Sequence, residues 1–130
     1  MPASQQTAIS GIDCALYYVK DMQRALKFWT ETMGLKPTLT YPTGTGTEFT
    51  LADGTTFGLL QIPDVTWLRG NGLMFSVPDI KAAVEHYQRR GVKFARGGQV
   101  MESPICHTAF AQDSEGNYFA LHQRKAQNPS

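Results

Sequence analysis

Cysteine is scarce in this sequence: Cys14 and Cys106 are the only two, too few for a disulfide framework. Each sits in an apolar, strand-like context and is expected to behave as a small buried hydrophobe. Charge of one sign is equally scarce. A formal net charge of +1, with acids and bases interspersed, leaves no electrostatic footprint for nucleic acid or an anionic membrane. No apolar run approaches the length of a membrane span, and residues 1–7 lack the basic start and apolar core of a secretory leader. A cytoplasmic protein with no nucleic-acid and no membrane partner is therefore expected. The glycine-rich stretch 42–47 is followed by no lysine and opens no helical pattern, which excludes a phosphate loop.

What the sequence does hold is a repeat. Phe57-Gly58-Leu59-Leu60-Gln61 aligns over Phe119-Ala120-Leu121-His122-Gln123, each following a turn, Asp53-Gly54 in one case and Asp113-Ser114-Glu115-Gly116-Asn117 in the other. Upstream, Val19-Lys20-Asp21-Met22 lies over Val77-Pro78-Asp79-Ile80, and Ala25, Leu26 and Trp29 over Ala83, Val84 and Tyr87. Two copies of a unit roughly sixty residues long account for most of the chain. Because 42% of the 130 residues are hydrophobic, the two copies can share one core, whereas each alone would be marginal.

In order, residues 1–11 read as a flexible arm and 12–19 as a half-buried strand, with Cys14, Leu16 and Tyr18 on one face. Asp21 fits an N-cap for a helix over 22–33, and Gly34 stops it. A strand over 35–41 carries Pro37, which places it at an edge. Residues 48–52 and 55–62 form a hairpin around Asp53-Gly54. Residues 63–70 link the copies, with Trp67 in the middle. The second copy then reads as a strand over 72–77, a helix over 80–90 capped by Asp79, and strands over 92–95, 106–112 and 117–124. His86 falls off the apolar stripe of that helix, on a solvated surface. Residues 125–130 are a polar tail.

The pattern resembles the vicinal oxygen chelate superfamily, which contains glyoxalase I, bleomycin-resistance proteins and extradiol dioxygenases. The likeness rests on Val19-Lys20-Asp21 before the first helix, Phe28-Trp29 and Gly34-Leu35 at its end, Ser76-Val77-Pro78-Asp79, and Asp113 to Asn117 at the last turn. It implies an α+β fold of two βαβββ modules, about 12–62 and 72–124, forming a curled cup-like mixed sheet with helices outside. A single domain over 12–124 and a homodimer follow from the same resemblance. Metal-dependent members carry ligands at positions that here hold Cys14, Gly58, Gly72 and Ala120. Three of these offer no side-chain donor, and one thiol cannot hold a metal alone, so neither a metal nor another cofactor is expected.

Small residues at those positions leave volume. Around it the alternation rule puts Cys14, Leu16, Tyr18, Leu60, Met74, Ser76, Tyr118 and His122, an apolar set with a few hydroxyls and one imidazole. The expected function is metal-independent binding of a small organic, aromatic or amphipathic molecule, as in bleomycin-resistance proteins. Two alternatives stand beside it. One is a lyase, isomerase or dioxygenase using a displaced metal site drawn from Cys14, Glu48, His107 and His122, or using His122 as the catalytic acid or base. The other is a protein-interaction module built on Trp67 and exposed strand edges.

Overall fold

The first strand, β1 (Ala15–Tyr18), buries Tyr17 and leaves Leu16 and Tyr18 exposed, the alternation expected of a half-buried strand. These positions come from a computed structural model that describes residues 7–8, 12–62 and 68–126. Most of the expected arm, the last residues of the tail and Trp67 lie outside the described residues. Asp21 caps helix α1 (Met22–Lys27), its carboxylate accepting from the backbone N–H of Arg24 at 3.1 Å. The helix expected over 22–33 does not continue as one α-helix: Phe28–Thr32 form a π-helical turn. Its wider winding accommodates two adjacent aromatic rings, Phe28 and Trp29, packed edge to face at 5.1 Å.

The first module closes with β2 (Pro37–Thr40), β3 (Gly46–Thr50) and β4 (Thr56–Leu60), in the sheet order β1-β4-β3-β2. Pro37 sits on the edge strand as its missing N–H requires. Strand β3 begins two residues earlier than the sequence suggests. Gly46 belongs to the ladder, opposite Leu60, and must be glycine there because a Cβ would come within 2.5 Å of the Tyr41 ring.

The second module repeats the arrangement with β5 (Leu73–Ser76), helix α2 (Ile80–Arg89) capped by Asp79, and a five-stranded sheet. Here the expectation of three strands after the helix needs correction. The first of them, expected over 92–95, is only β6 (Lys93–Phe94); after a tight turn over Ala95–Gly98, in which Arg96 and Gly97 are left-handed, an additional short strand β7 (Met101–Glu102) follows, and both pair with β8 (Cys106–Gln112). Strand β9 (Tyr118–Arg124) lies between β8 and β5, parallel to β5. The fold is thus α+β, two βαβββ-type modules each with its own mixed sheet.

One core joins them. Trp29, from the first module, is 1% exposed and sits among Tyr17 and Phe57 of its own sheet and Phe75 and Phe119 of the other. A second tie is polar. The Glu115 carboxylate, on the last turn, accepts from the backbone N–H groups of Lys20 and Asp21 and from the Arg24 guanidinium, so the final hairpin holds the entry to α1. Asp113 holds that turn in shape by accepting from the N–H groups of Glu115 and Asn117, each at 2.8 Å.

Candidate functional site

In each sheet one face packs on the shared core, and the strand registers define what stands on the other, open face. On the first sheet that face carries Leu16 beside Gly58, Tyr18 beside Leu60, and Glu48 across from Gly58, with Cys14 just before the strand. On the second it carries Met74 beside Ala120, Ser76 beside His122, Phe110 across from Ala120, and Tyr118 across from Gln112. The eight residues expected around one cup are therefore divided between two sheets. Cys14, Leu16, Tyr18 and Leu60 belong to the first, and Met74, Ser76, Tyr118 and His122 to the second.

The second sheet bears a cavity of about 540 Å³. Gly72 and Ala120 leave its volume, Met74, Phe110 and Tyr118 supply apolar walls, and Ala95, Arg96, Gln99 and Met101 border it from the turn after β6 and from β7. Of the eight expected residues it gathers Met74 and Tyr118. Met74 and Ser76 also line a neighbouring cavity of about 470 Å³ that runs past Ala15 and Phe57. Cys14, Leu16, Tyr18, Leu60 and His122 line neither. Phe110 was within reach of sequence reasoning, since the turn at 113–116 sets it opposite Ala120. Arg96, Gln99 and Met101 were not, because nothing in the pattern announces that their segment folds against the sheet.

The donors proposed for a displaced metal do not converge. Cys14 and Glu48 share the open face of the first sheet, and His122 stands on that of the second. His107 projects to the opposite side of its sheet, in register with Gln123, and pairs through Nδ1 with Glu102 at 3.1 Å. Among the described residues no group of three or more His, Cys, Asp or Glu could hold a metal ion. The positions the resemblance marks for ligands fit a metal no better. Gly58, Gly72 and Ala120 supply no donor, and burial, helped by the nearby Glu48 and Asp13 carboxylates, pushes the Cys14 thiol up and away from the thiolate a metal needs. Glu48 is engaged as an acceptor, taking the Tyr41 hydroxyl at 2.9 Å.

Neither cysteine is fully buried, which corrects the expectation from sequence. Cys106 in particular sits in a polar setting, its Sγ 3.1 Å from the Ser103 hydroxyl and 3.6 Å from that of Thr108. Hydrogen bonds from these two hydroxyls hold its thiol below the ordinary range. His86 is exposed, as its place off the stripe requires. No helix among the described residues is long and apolar enough to cross a membrane.

Comparison with known proteins bears on this geometry. The structure is similar to that of TnmS3, an antibiotic binding protein from Streptomyces sp. CB03234, with a TM-score of 0.75 and 24% identity over 91% of this chain and 98% of that one. It is similar to a glyoxalase/bleomycin resistance protein/dioxygenase superfamily member from Sphaerobacter thermophilus DSM 20745, with a TM-score of 0.75 and 22% identity over 88% of this chain and 98% of the other. Lactoylglutathione lyase from Agrobacterium tumefaciens shares the fold at a TM-score of 0.67 and 19% identity, over 89% of this chain and 95% of that one. No curated protein matches the sequence. The model of one family matches residues 11–121, nearly the whole described chain, and with the paired modules it settles the classification: this protein belongs to the glyoxalase/bleomycin resistance protein/dioxygenase superfamily.

Proposed function

We propose that the chain binds a small organic molecule of aromatic or amphipathic character on the open face of its second sheet, without a metal and without a covalent step. The observation that carries this reading is the cavity of about 540 Å³ over Gly72 and Ala120, walled by Met74, Phe110 and Tyr118. Its size falls in the range of small-molecule pockets, roughly 300–1,000 Å³, and its walls are apolar with a few amides at the border, as such pockets require. The shared fold with an antibiotic-binding protein supports the same reading, in which that binding role extends to the present chain.

The protein acts as a homodimer in this reading. Leu16, Tyr18 and Leu39 on one open face, and Met74, Phe110 and Tyr118 on the other, are each at least 40% exposed, so each face presents apolar side chains that a second copy would cover. Sedimentation of a single chain at micromolar concentration would remove the dimer from the reading.

Titration with a panel of polycyclic aromatic compounds, followed by calorimetry, tests the binding site. Binding is expected to be unchanged by EDTA. The substitution Ala120→Phe, which adds a ring where the alanine is only 2% exposed, is expected to weaken it by about tenfold or more and to lower Tm by several degrees, since overpacking costs about 1–3 kcal/mol. Loss of binding in EDTA, or indifference to Ala120→Phe, would place the ligand elsewhere or make it metal-dependent.

A further inference from the structure

We infer that the molecule held in this cavity is an organic anion, an aromatic body carrying a carboxylate, sulfonate or phenolate, and that Arg96 receives the charged group. The inference rests on the binding reading above and adds the ligand's charge to it.

Three observations converge. First, the cavity is electrostatically one-sided. Arg96 lines it, and among the described residues no aspartate or glutamate does. The nearest acidic residue in sequence, Glu102, is already paired with His107 on the far side of the sheet. Among the described residues carboxylates meet Arg24 (Glu115) and His107 (Glu102), and none there meets the Arg96 guanidinium.

Second, Arg96 stands in the left-handed region, φ 54°, and is the only non-glycine residue among those described with a positive φ. A glycine would adopt that backbone without strain, and glycines do occupy the next two positions. The strained residue is nevertheless arginine, at the border of a cavity, where strain of this kind concentrates when a side chain has to be aimed. The turn that holds it is secured from outside. Gln88, on α2, donates to the Gly97 carbonyl at 3.0 Å, and the N–H of Gln99 closes back on the Arg96 carbonyl at 3.2 Å.

Third, a second cation flanks the same wall. The Arg69 guanidinium lies 5.4 Å from the centre of the Tyr118 ring and its Nη1 is 3.5 Å from the Tyr118 hydroxyl. Planar guanidinium forks beside apolar and aromatic walls recognise a flat body with an anionic edge, through stacking and charge-assisted hydrogen bonds together.

The test uses three probes of one shape: anthracene carboxylate, the neutral anthracenemethanol and the cationic anthracenemethylamine, titrated by their own fluorescence into the full chain and into the Arg96→Gly variant. Glycine suits the backbone at this position, so the variant keeps the fold, and a matching thermal transition verifies it. With the unaltered chain the carboxylate is expected to bind about tenfold or more tighter than the alcohol, with the amine weakest. Arg96→Gly is expected to cost the carboxylate about tenfold more affinity than it costs the alcohol, so that the two probes bind alike. Equal affinity for carboxylate and alcohol, a preference for the amine, or an equal loss of both neutral and anionic probes in the variant would overturn the assignment of charge and leave cavity binding standing. If none of the three probes binds, both readings fail.

Discussion

Replacing Trp29 by alanine is expected to remove about 4 kcal/mol of stability, a large share of the roughly 5–15 kcal/mol by which domains are stable. The indole is 1% exposed, with ring centroids 4.8 Å from Phe57, 5.2 Å from Phe119 and 5.4 Å from Phe75. Phe57 belongs to the first module, and Phe75 and Phe119 to the second, so the cavity left by the alanine opens on the seam between them. Collapse around it is hindered because the surrounding rings are held by strands of two different sheets. Trp29→Phe should cost far less, about 1–2 kcal/mol. It keeps most of the ring, and it removes an indole N–H that is buried with no hydrogen-bond partner among the described residues, although that group lies near enough to Asp113 to favour its carboxylate form. Urea unfolding checks both. One cooperative transition shifted to lower urea is the expected result for the alanine variant. A biphasic curve, in which one module survives the loss of the other, would mean that the aromatic seam does not couple them.

The elements legible in the sequence are those whose cause is local. Asp21 and Asp79 announce helices because a capping carboxylate needs only its own first turn, and both accept the expected N–H. Asp53 likewise fixes its hairpin through Thr55, two residues away. The π-helical turn at Phe28–Thr32 was not legible, because it answers to rings that arrive from distant strands. Strand β7 has no sequence signature, because two residues carry no period.

The site divides along the same line. Period-two alternation correctly separates Met74 and Tyr118 from their core-facing neighbours Leu73 and Phe119, and that much follows from each strand alone. Which open face is bordered by another segment depends on the turn at Ala95–Gly98. A left-handed arginine has no sequence signature, since residues other than glycine seldom take that backbone. The wall it contributes to therefore has no trace in the sequence pattern.

Glu115→Ala is expected to cost about 3 kcal/mol at neutral pH, whereas Arg24→Ala should cost far less, although the two side chains form one ion pair. The asymmetry follows from burial. The Glu115 side chain is fully buried, while that of Arg24 is 53% exposed, so an orphaned Arg24 returns to water. Losing Glu115 instead leaves the N–H groups of Lys20 and Asp21 without their acceptor at the entry to α1. Acid should expose the same contribution. Burial alone would raise the Glu115 carboxyl, but the hydrogen bond from Arg24, with those from the Asp21 and Lys20 backbone, outweighs it and holds the group below its ordinary range. A carboxylate depressed on folding stabilises the native state above its unfolded pKa, about 4.3, and the benefit disappears as pH falls through the lower folded value. Asp113 works in the opposite sense. Burial raises it despite hydrogen bonds from Asn117 and Glu115, so its charged form weakens the fold as pH rises through the carboxylate range. Comparing the natural chain with Glu115→Gln isolates the first effect, because Asp113 is common to both. The gap in Tm between them is expected to be widest near pH 7 and to narrow as pH falls below about 4. A gap that stays constant into acid would assign the role of Glu115 to packing rather than to its charge.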